Sequence, residues 1–149
     1  MKDETIEVRF LEASDRQLLL NVSEGVFDHS VRTDLADEFL TDPRHHIAAA
    51  LHEGRVVGFV SGVHYLHPDK SAEMFINEAG VATAFQRRGL GKRLLAVMLA
   101  HAEELGCREA WVLTEEDNHP ARGLYAAAGG KEERPKPVLF TFSLDDDRP

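Results

Sequence analysis

Seven residues, Gln86-Arg-Arg-Gly-Leu-Gly-Lys92, put three cations and two glycines into one short stretch of a chain whose formal net charge is −9. That combination suits anion binding. The first backbone N–H groups of a helix have no intrahelical partner, and the helix dipole adds partial positive charge beside them. Glycine removes the Cβ atoms that would hold a phosphate away from those donors, and Arg87, Arg88 and Lys92 would supply full charges around it. From these seven residues alone, a turn with solvated arginines explains the composition equally well. The spacing matches neither the P-loop G-x-x-x-x-G-K-S/T nor the dinucleotide G-x-G-x-x-G.

Two neighbouring stretches bear on the choice. Upstream, Phe75-Ile-Asn-Glu-Ala-Gly-Val-Ala-Thr83 is an extended run with Gly80 inside it. Glycine there weakens a strand and marks a bulge or a close approach by another backbone or a ligand. Glu78, two residues earlier, points to the same face as Gly80. Downstream, Asn118-His-Pro-Ala-Arg-Gly-Leu-Tyr125 follows the apolar run Ala110–Thr114. In a parallel strand–helix–strand unit, the loops at the carboxyl ends of both strands open on one side of the sheet, so the two stretches can meet.

The positioning elements follow from periodicity. A first strand fits Glu7–Leu11, and Asp15 offers an N-cap for a helix to about Val22, with a second helix over Thr33–Leu40. Two apolar strands surround a turn at Glu53-Gly54, and a third long strand runs from Glu73 to Thr83. Leu90, Leu94, Val97, Met98, His101 and Leu105 line one face of a helix that Gly106 closes. Ala110–Thr114 reads as a buried strand, Pro120–Ala128 as a helix, and Val138–Leu144 as a last strand. The order gives an α/β fold with a sheet of mixed direction, antiparallel at the front and strand–helix–strand in the middle.

Composition limits the function classes. The 149 residues suit one domain, here residues 1–144 with a flexible acidic tail at 145–149. The acidic balance argues against a nucleic-acid binder. One cysteine, Cys107, excludes an internal disulfide and a cysteine-rich zinc site. No apolar run is long enough to span a membrane and the first ten residues lack a signal-peptide core, so a cytoplasmic protein is expected. Eight histidines raise a metal site, but His45 and His46 face opposite sides of a strand, and His64 and His67 lack a carboxylate at helical spacing, so no metal is expected.

Together the three stretches resemble the GNAT family of N-acetyltransferases. Gln86–Gly91 fits that family's acetyl-CoA signature, Gln/Arg-x-x-Gly-x-Gly/Ala, and Asn118–Tyr125 fits its second signature, Asn-x-x-Ala-x-x-Leu-Tyr. The resemblance implies a mixed, mostly antiparallel sheet with a central pair of splayed parallel strands flanked by helices. It implies acetyl-CoA as co-substrate, with Gln86, Arg87, Arg88, Gly89, Leu90, Gly91 and Lys92 around the pyrophosphate. The backbone of Ala79, Gly80, Val81 and Ala82 would take the pantetheine arm and acetyl carbonyl, and Asn118 the CoA arm. Tyr125 corresponds to the proton donor for the leaving thiolate, and Glu78 is the expected base. The stretches "FINEAGVA" and "EERPKPVLFTF" are further similar to small aminoglycoside 3-N-acetyltransferases, which implies a small cationic amine as acceptor, aminoglycoside-like or polyamine-like. Glu115, Glu116, Asp117, Asp28, Asp34 and Asp37 are candidates to face it. Acetylation of a protein N-terminus or lysine, and a CoA-binding module without catalysis, are the alternatives. Dimers are common in the family, so a homodimer partner is an expectation from resemblance.

Overall fold

A computed structural model describes residues 5–145. Its frame is a five-stranded sheet in which spatial order equals chain order. The strands are β1 (Glu7–Phe10), β2 (His45–His52), β3 (Arg55–Tyr65), β4 (Glu73–Val81) and β5 (Glu109–Val112). Neighbours pair antiparallel up to β4, and β4 and β5 pair parallel. The mixed fold expected from the sequence is the one observed.

Local chemistry sets the connections. At the β2–β3 turn, Glu53 and Gly54 both have positive φ, 50° and 77°, the conformation of a two-residue hairpin turn whose twist matches the strands. Helices α1 (Arg16–Leu20) and α2 (Thr33–Thr41) precede β2, α3 (Leu90–Glu104) joins β4 to β5, and α4 (His119–Ala127) follows β5. The neighbours His45 and His46 show that helices cover both sides of the sheet. His45 packs on Phe39 of α2, whereas His46 is hydrogen-bonded to His101 of α3. With both faces covered, Ala48, Ala49 and Ala50 are fully buried. On α3, Leu90, Leu94, Leu95, Met98 and Ala102 form the buried stripe. Gly106, at φ 87°, ends it: its N–H donates to Glu103 O and that of Cys107 to Ala102 O.

Three expectations change. Asp15 stands at the N-cap of α1, but its side chain makes no capping bond and the helix ends at Leu20, short of Val22. Asp15 closes a 3₁₀ turn over Ala13–Asp15, accepting the Glu12 N–H at 2.8 Å and pairing with Arg9 at 2.9 Å, which holds its carboxyl below the usual range. The strand over Ala110–Thr114 is not buried: β5 is the last strand of the sheet, and Trp111 is 36% exposed. Val138–Leu144 forms no strand. It is unpaired and its apolar side chains face solvent.

The end of the sheet away from the β4–α3 turn carries a cluster that no sequence spacing announced. His46 Nε2 lies 2.8 Å from His64 Nδ1, and His46 Nδ1 lies 3.1 Å from His101 Nε2. Burial, reinforced by the possible charge on His101, His64 and His45 and opposed by Asp42, lowers the His46 pKa to about 4. An unfolded His46 would titrate near 6.5, so between about pH 6.5 and 4 the unfolded chain binds the extra proton and stability falls as pH falls. Urea midpoints should therefore drop over that window, and His46→Gln should flatten the drop by about 1–2 kcal/mol, the His46 ring being only half buried.

Candidate active site

The site begins where β4 loses a neighbour. Along β3, Ser61 lies opposite Glu78 and Gly62 opposite Ile76, so Asn77 is an extra residue on β4. The parallel pairing of β4 with β5 ends at Ile76 and Val112. Past the bulge, β4 keeps β3 on one side while a wedge opens on the other. The Ala82 N–H donates to Val57 O at 2.8 Å, which fixes the phase of the ladder. Antiparallel pairs alternate, so Gly80 and Ala82 turn their backbone groups toward β3, and Ala79 and Val81 turn theirs into the wedge. The expected run of four backbone contacts is thus narrowed to two residues facing the gap.

Gly80 has a different reason to be glycine. A Cβ there would stand 2.4 Å from the carbonyl oxygen of Val26 and 3.1 Å from Phe59 Cε1. The segment before α2 therefore lies directly on β4, held by Phe27 stacked on Phe59 at 4.2 Å. Of the two close approaches a strand glycine permits, by a ligand or by another backbone, the second is observed. Glu78 is exposed on this same face.

On the far side of Val81 the chain makes a 3₁₀ turn over Thr83–Phe85 and enters the cationic stretch. Gln86 Nε2 donates to Val81 O at 2.9 Å, so the side chain braces the turn against the end of β4. Arg87 and Gly89 both have positive φ, 62° and 77°, which folds the chain tightly and places a non-glycine in a costly conformation. The first helical bond runs from Arg93 N–H to Gly89 O. The N–H groups of Leu90, Gly91 and Lys92 precede it, with no side-chain cap at Gly89, where nothing lies within 4 Å of an added Cβ. These donors fit a phosphate-bearing ligand. Arg88 lies 5.1 Å above the Phe85 ring, and Arg87 and Lys92 are exposed. Gly91 serves packing: its Cβ would come within 3.2 Å of Leu124, so its absence lets α4 sit against α3.

That contact sets the third stretch against the start of α3. Asn118 caps α4, its side chain accepting the Ala121 N–H at 3.1 Å, and Pro120 starts the helix. Tyr125 lies one residue beyond Leu124, half-buried, and burial pushes its phenol above the ordinary range. Arg122, which spacing did not single out, braces the region by donating to Glu116 O and to Glu132. Of the expected acidic residues, Asp34 pairs with Arg32, Asp37 with Arg16 and Glu116 with Lys136. Among the described residues no group of three or more histidines, cysteines and carboxylates is arranged to hold a metal ion.

Residues 11–129 match the acetyltransferase (GNAT) family. The chain belongs to that family. A relative described as an uncharacterised N-acetyltransferase, from Mycobacterium tuberculosis, is 30% identical over 94 residues, which is 63% of this chain and 58% of the relative. The chain thus spans little more than half the length of that relative. Among solved structures, an aminoglycoside acetyltransferase from an uncultured soil metagenomic sample, in complex with sisomicin, superposes with a TM-score of 0.83. It is 18% identical, over 94% of this chain and 97% of the other. The aminoglycoside acetyltransferase AAC(6')-Iy, in complex with a bisubstrate analogue of CoA and acetylneamine, gives 0.77 at 20% identity over 93% and 98%. At these identities the likeness is one of fold, and the GNAT fold is the mixed sheet described above.

The Val26 contact makes one position of this GNAT chain unusually intolerant. Gly80→Ala must displace a backbone carbonyl rather than a flexible side chain. It should cost about 1–3 kcal/mol, read as a lower urea midpoint at unchanged slope.

Proposed function

We propose that the chain transfers the acetyl group of acetyl-CoA to a primary amine of a small cationic molecule, aminoglycoside-like or polyamine-like, by direct attack. The observation that carries this reading is the wedge beside β4, with the uncapped start of α3 at one end and α4, which carries Tyr125, packed on that start through Leu124 and Gly91. The Leu90, Gly91 and Lys92 N–H groups, with Arg87 and Arg88, take the pyrophosphate. The backbone of Ala79 pairs with the amides of the pantetheine arm as a strand would, and the Val81 N–H faces the acetyl carbonyl. Gln86 keeps the two parts of this surface in register, and the amide of Asn118 reaches the CoA arm.

The chemistry then needs three groups. A free alkyl amine, with a pKa of about 10, must lose a proton to attack. Glu78, exposed on the face where the Val26 segment crosses β4, accepts it through water. As nitrogen bonds to the acetyl carbon, the Val81 N–H stabilises the charge on the carbonyl oxygen. The carbon–sulfur bond breaks and the Tyr125 phenol, kept protonated by burial, donates to the departing thiolate. The products are an N-acetyl amine and free CoA. Asp28 and Glu24, both exposed and each two residues from Val26, flank the point where that segment meets β4 and give the acceptor side negative charge.

Incubating the protein with acetyl-CoA and aminoglycosides, polyamines, amino acids or peptides, while detecting free thiol, tests the reading. Turnover with cationic small amines is expected; turnover with peptides alone would favour a protein acetyltransferase, and CoA binding without turnover an inactive module. Tyr125→Phe should lower kcat by about 100-fold with little change in KM for acetyl-CoA. Unchanged turnover from acid to alkaline pH would remove Tyr125 from the acid role.

A further inference from the structure

The face of the sheet that carries Glu78 and Gly80 continues on the other side of the bulge as a strip of rings. Register puts Ser61 opposite Glu78, Val63 opposite Phe75 and Tyr65 opposite Glu73, so Tyr65, Phe75 and Glu73 project on the same face as Glu78. Trp111 stands beside Phe75 in the parallel pairing and joins them there. Its ring centroid lies 4.4 Å from that of Phe75 and 6.4 Å from that of Tyr65. Over β2 and β3 this face is covered, through His45 on Phe39 and Phe27 on Phe59. Over β5 it lies in water: Trp111 is 36% exposed, and Leu113, just past the end of the pairing where the wedge begins, is 45% exposed. Nor is the indole loose. Its Nε1–H donates to the Tyr65 hydroxyl at 2.6 Å, which donates to Glu73 Oε1 at 3.0 Å, and Glu73 Oε2 lies 2.9 Å from His67 Nε2. A tryptophan fixed by packing and by a hydrogen bond, yet left in water, offers an apolar surface that needs little further ordering to bind.

We propose that Trp111, with Phe75 behind it and Leu113 beside it, is the platform on which the acceptor lies, and that the acceptor carries its cationic amine on a ring rather than on a linear polyamine chain. Such a ring-bearing amine is a narrower class within the acetyl-transfer reading, on which it rests. Continuity, charge and shape commit the strip to this occupant. Phe75 is three residues from Glu78, so roughly 10 Å at most separates them at about 3.3 Å per residue. Leu113 begins the β5 bank of the wedge itself. The exposed carboxylates of Glu78 and of Glu109, which is in register with Glu73, stand toward the two ends of the strip and suit a cation. A rigid ring covers a flat aromatic surface while losing little freedom, whereas a polyamine must fix a rotor at each methylene.

The test compares p-xylylenediamine with hexamethylenediamine, which carry the same charge over a similar span and differ in the ring. With acetyl-CoA and free-thiol detection, kcat/KM should favour the ring at least about 10-fold. Trp111→Leu keeps apolar bulk and removes the flat surface. It should bring that ratio near unity by raising KM for the ring diamine, with kcat and KM for acetyl-CoA little changed. Trp111→Phe should keep most of the preference, and circular dichroism of both variants should match the parent chain. The cyclohexane analogue of the ring diamine distinguishes a saturated ring from an aromatic one, and a preference for either over the chain upholds the proposal. Equal kcat/KM for rings and chain overturns it, as does a ring preference that Trp111→Leu leaves intact. Trp111 is the only tryptophan, so its emission reports binding without turnover. If no amine is acetylated, the acetyl-transfer reading fails and the emission titration still decides the platform. Tighter binding of a ring diamine than of the chain upholds it, and equal binding or an unchanged emission overturns it.

Discussion

A strand edge can satisfy only one partner, and β4 spends its outer edge twice. Up to Ile76 that edge holds β5, and past the extra residue Asn77 it holds none. Ladder N–H and C=O groups left over in this way are strong hydrogen-bonding groups that must find other partners. Everything else at the site depends on where β4 stops being a sheet strand and becomes a binding surface. The bulge fixes that point. The Ala82 to Val57 bond fixes which residues face outward, and the Gln86 brace fixes the turn that follows.

The glycines divide the labour around that surface. Gly80 admits the Val26 carbonyl on one face, Gly91 admits Leu124 on the other side of the wedge, and Gly89 takes the left-handed conformation that starts α3. Only the last acts at the anion-binding turn itself. The first two bring in other elements: the segment carrying Asp28 over β4, and the helix carrying Tyr125 against α3. On the proposed reading, the acceptor side hangs on a different packing contact from the cationic turn.

Much of this was legible in the residues. Hydrophobic period, the Glu53-Gly54 turn and the Gly106 stop place most elements within a residue or two of where they lie, since those signals are local. The two signature stretches identified the family. Contacts between distant segments were hidden. Nothing in the spacing of Gly80 names Val26, and His46, His64 and His101 are 18 and 37 residues apart yet form one chain of rings. The failed readings have the same origin. Asp15 stands at the N-cap of α1 as its type suggests, but Arg9, six residues earlier, claims its carboxylate. Val138–Leu144 has the alternation of a strand, but a strand requires an edge to pair with, and no periodicity says whose edge that is.

Net charge is a poor guide to the acceptor for a related reason. The −9 of the whole chain is spread over 26 acidic residues, of which Asp15, Asp34, Asp37, Glu116 and Glu132 are among those held in ion pairs. What a cationic substrate would meet is the local balance on the Gly80 face of β4, where Glu78 and Asp28 are exposed. The anionic co-substrate would meet the Arg87, Arg88 and Lys92 end. On the proposed reading, charges of opposite sign on that face and at the start of α3 would orient an anion and a cation better than any net charge could, because interactions between exposed charges fade beyond about 8–10 Å. The overall acidity of the chain then bears on solubility, while on the proposed reading selectivity would rest on a handful of side chains that backbone contacts hold in place.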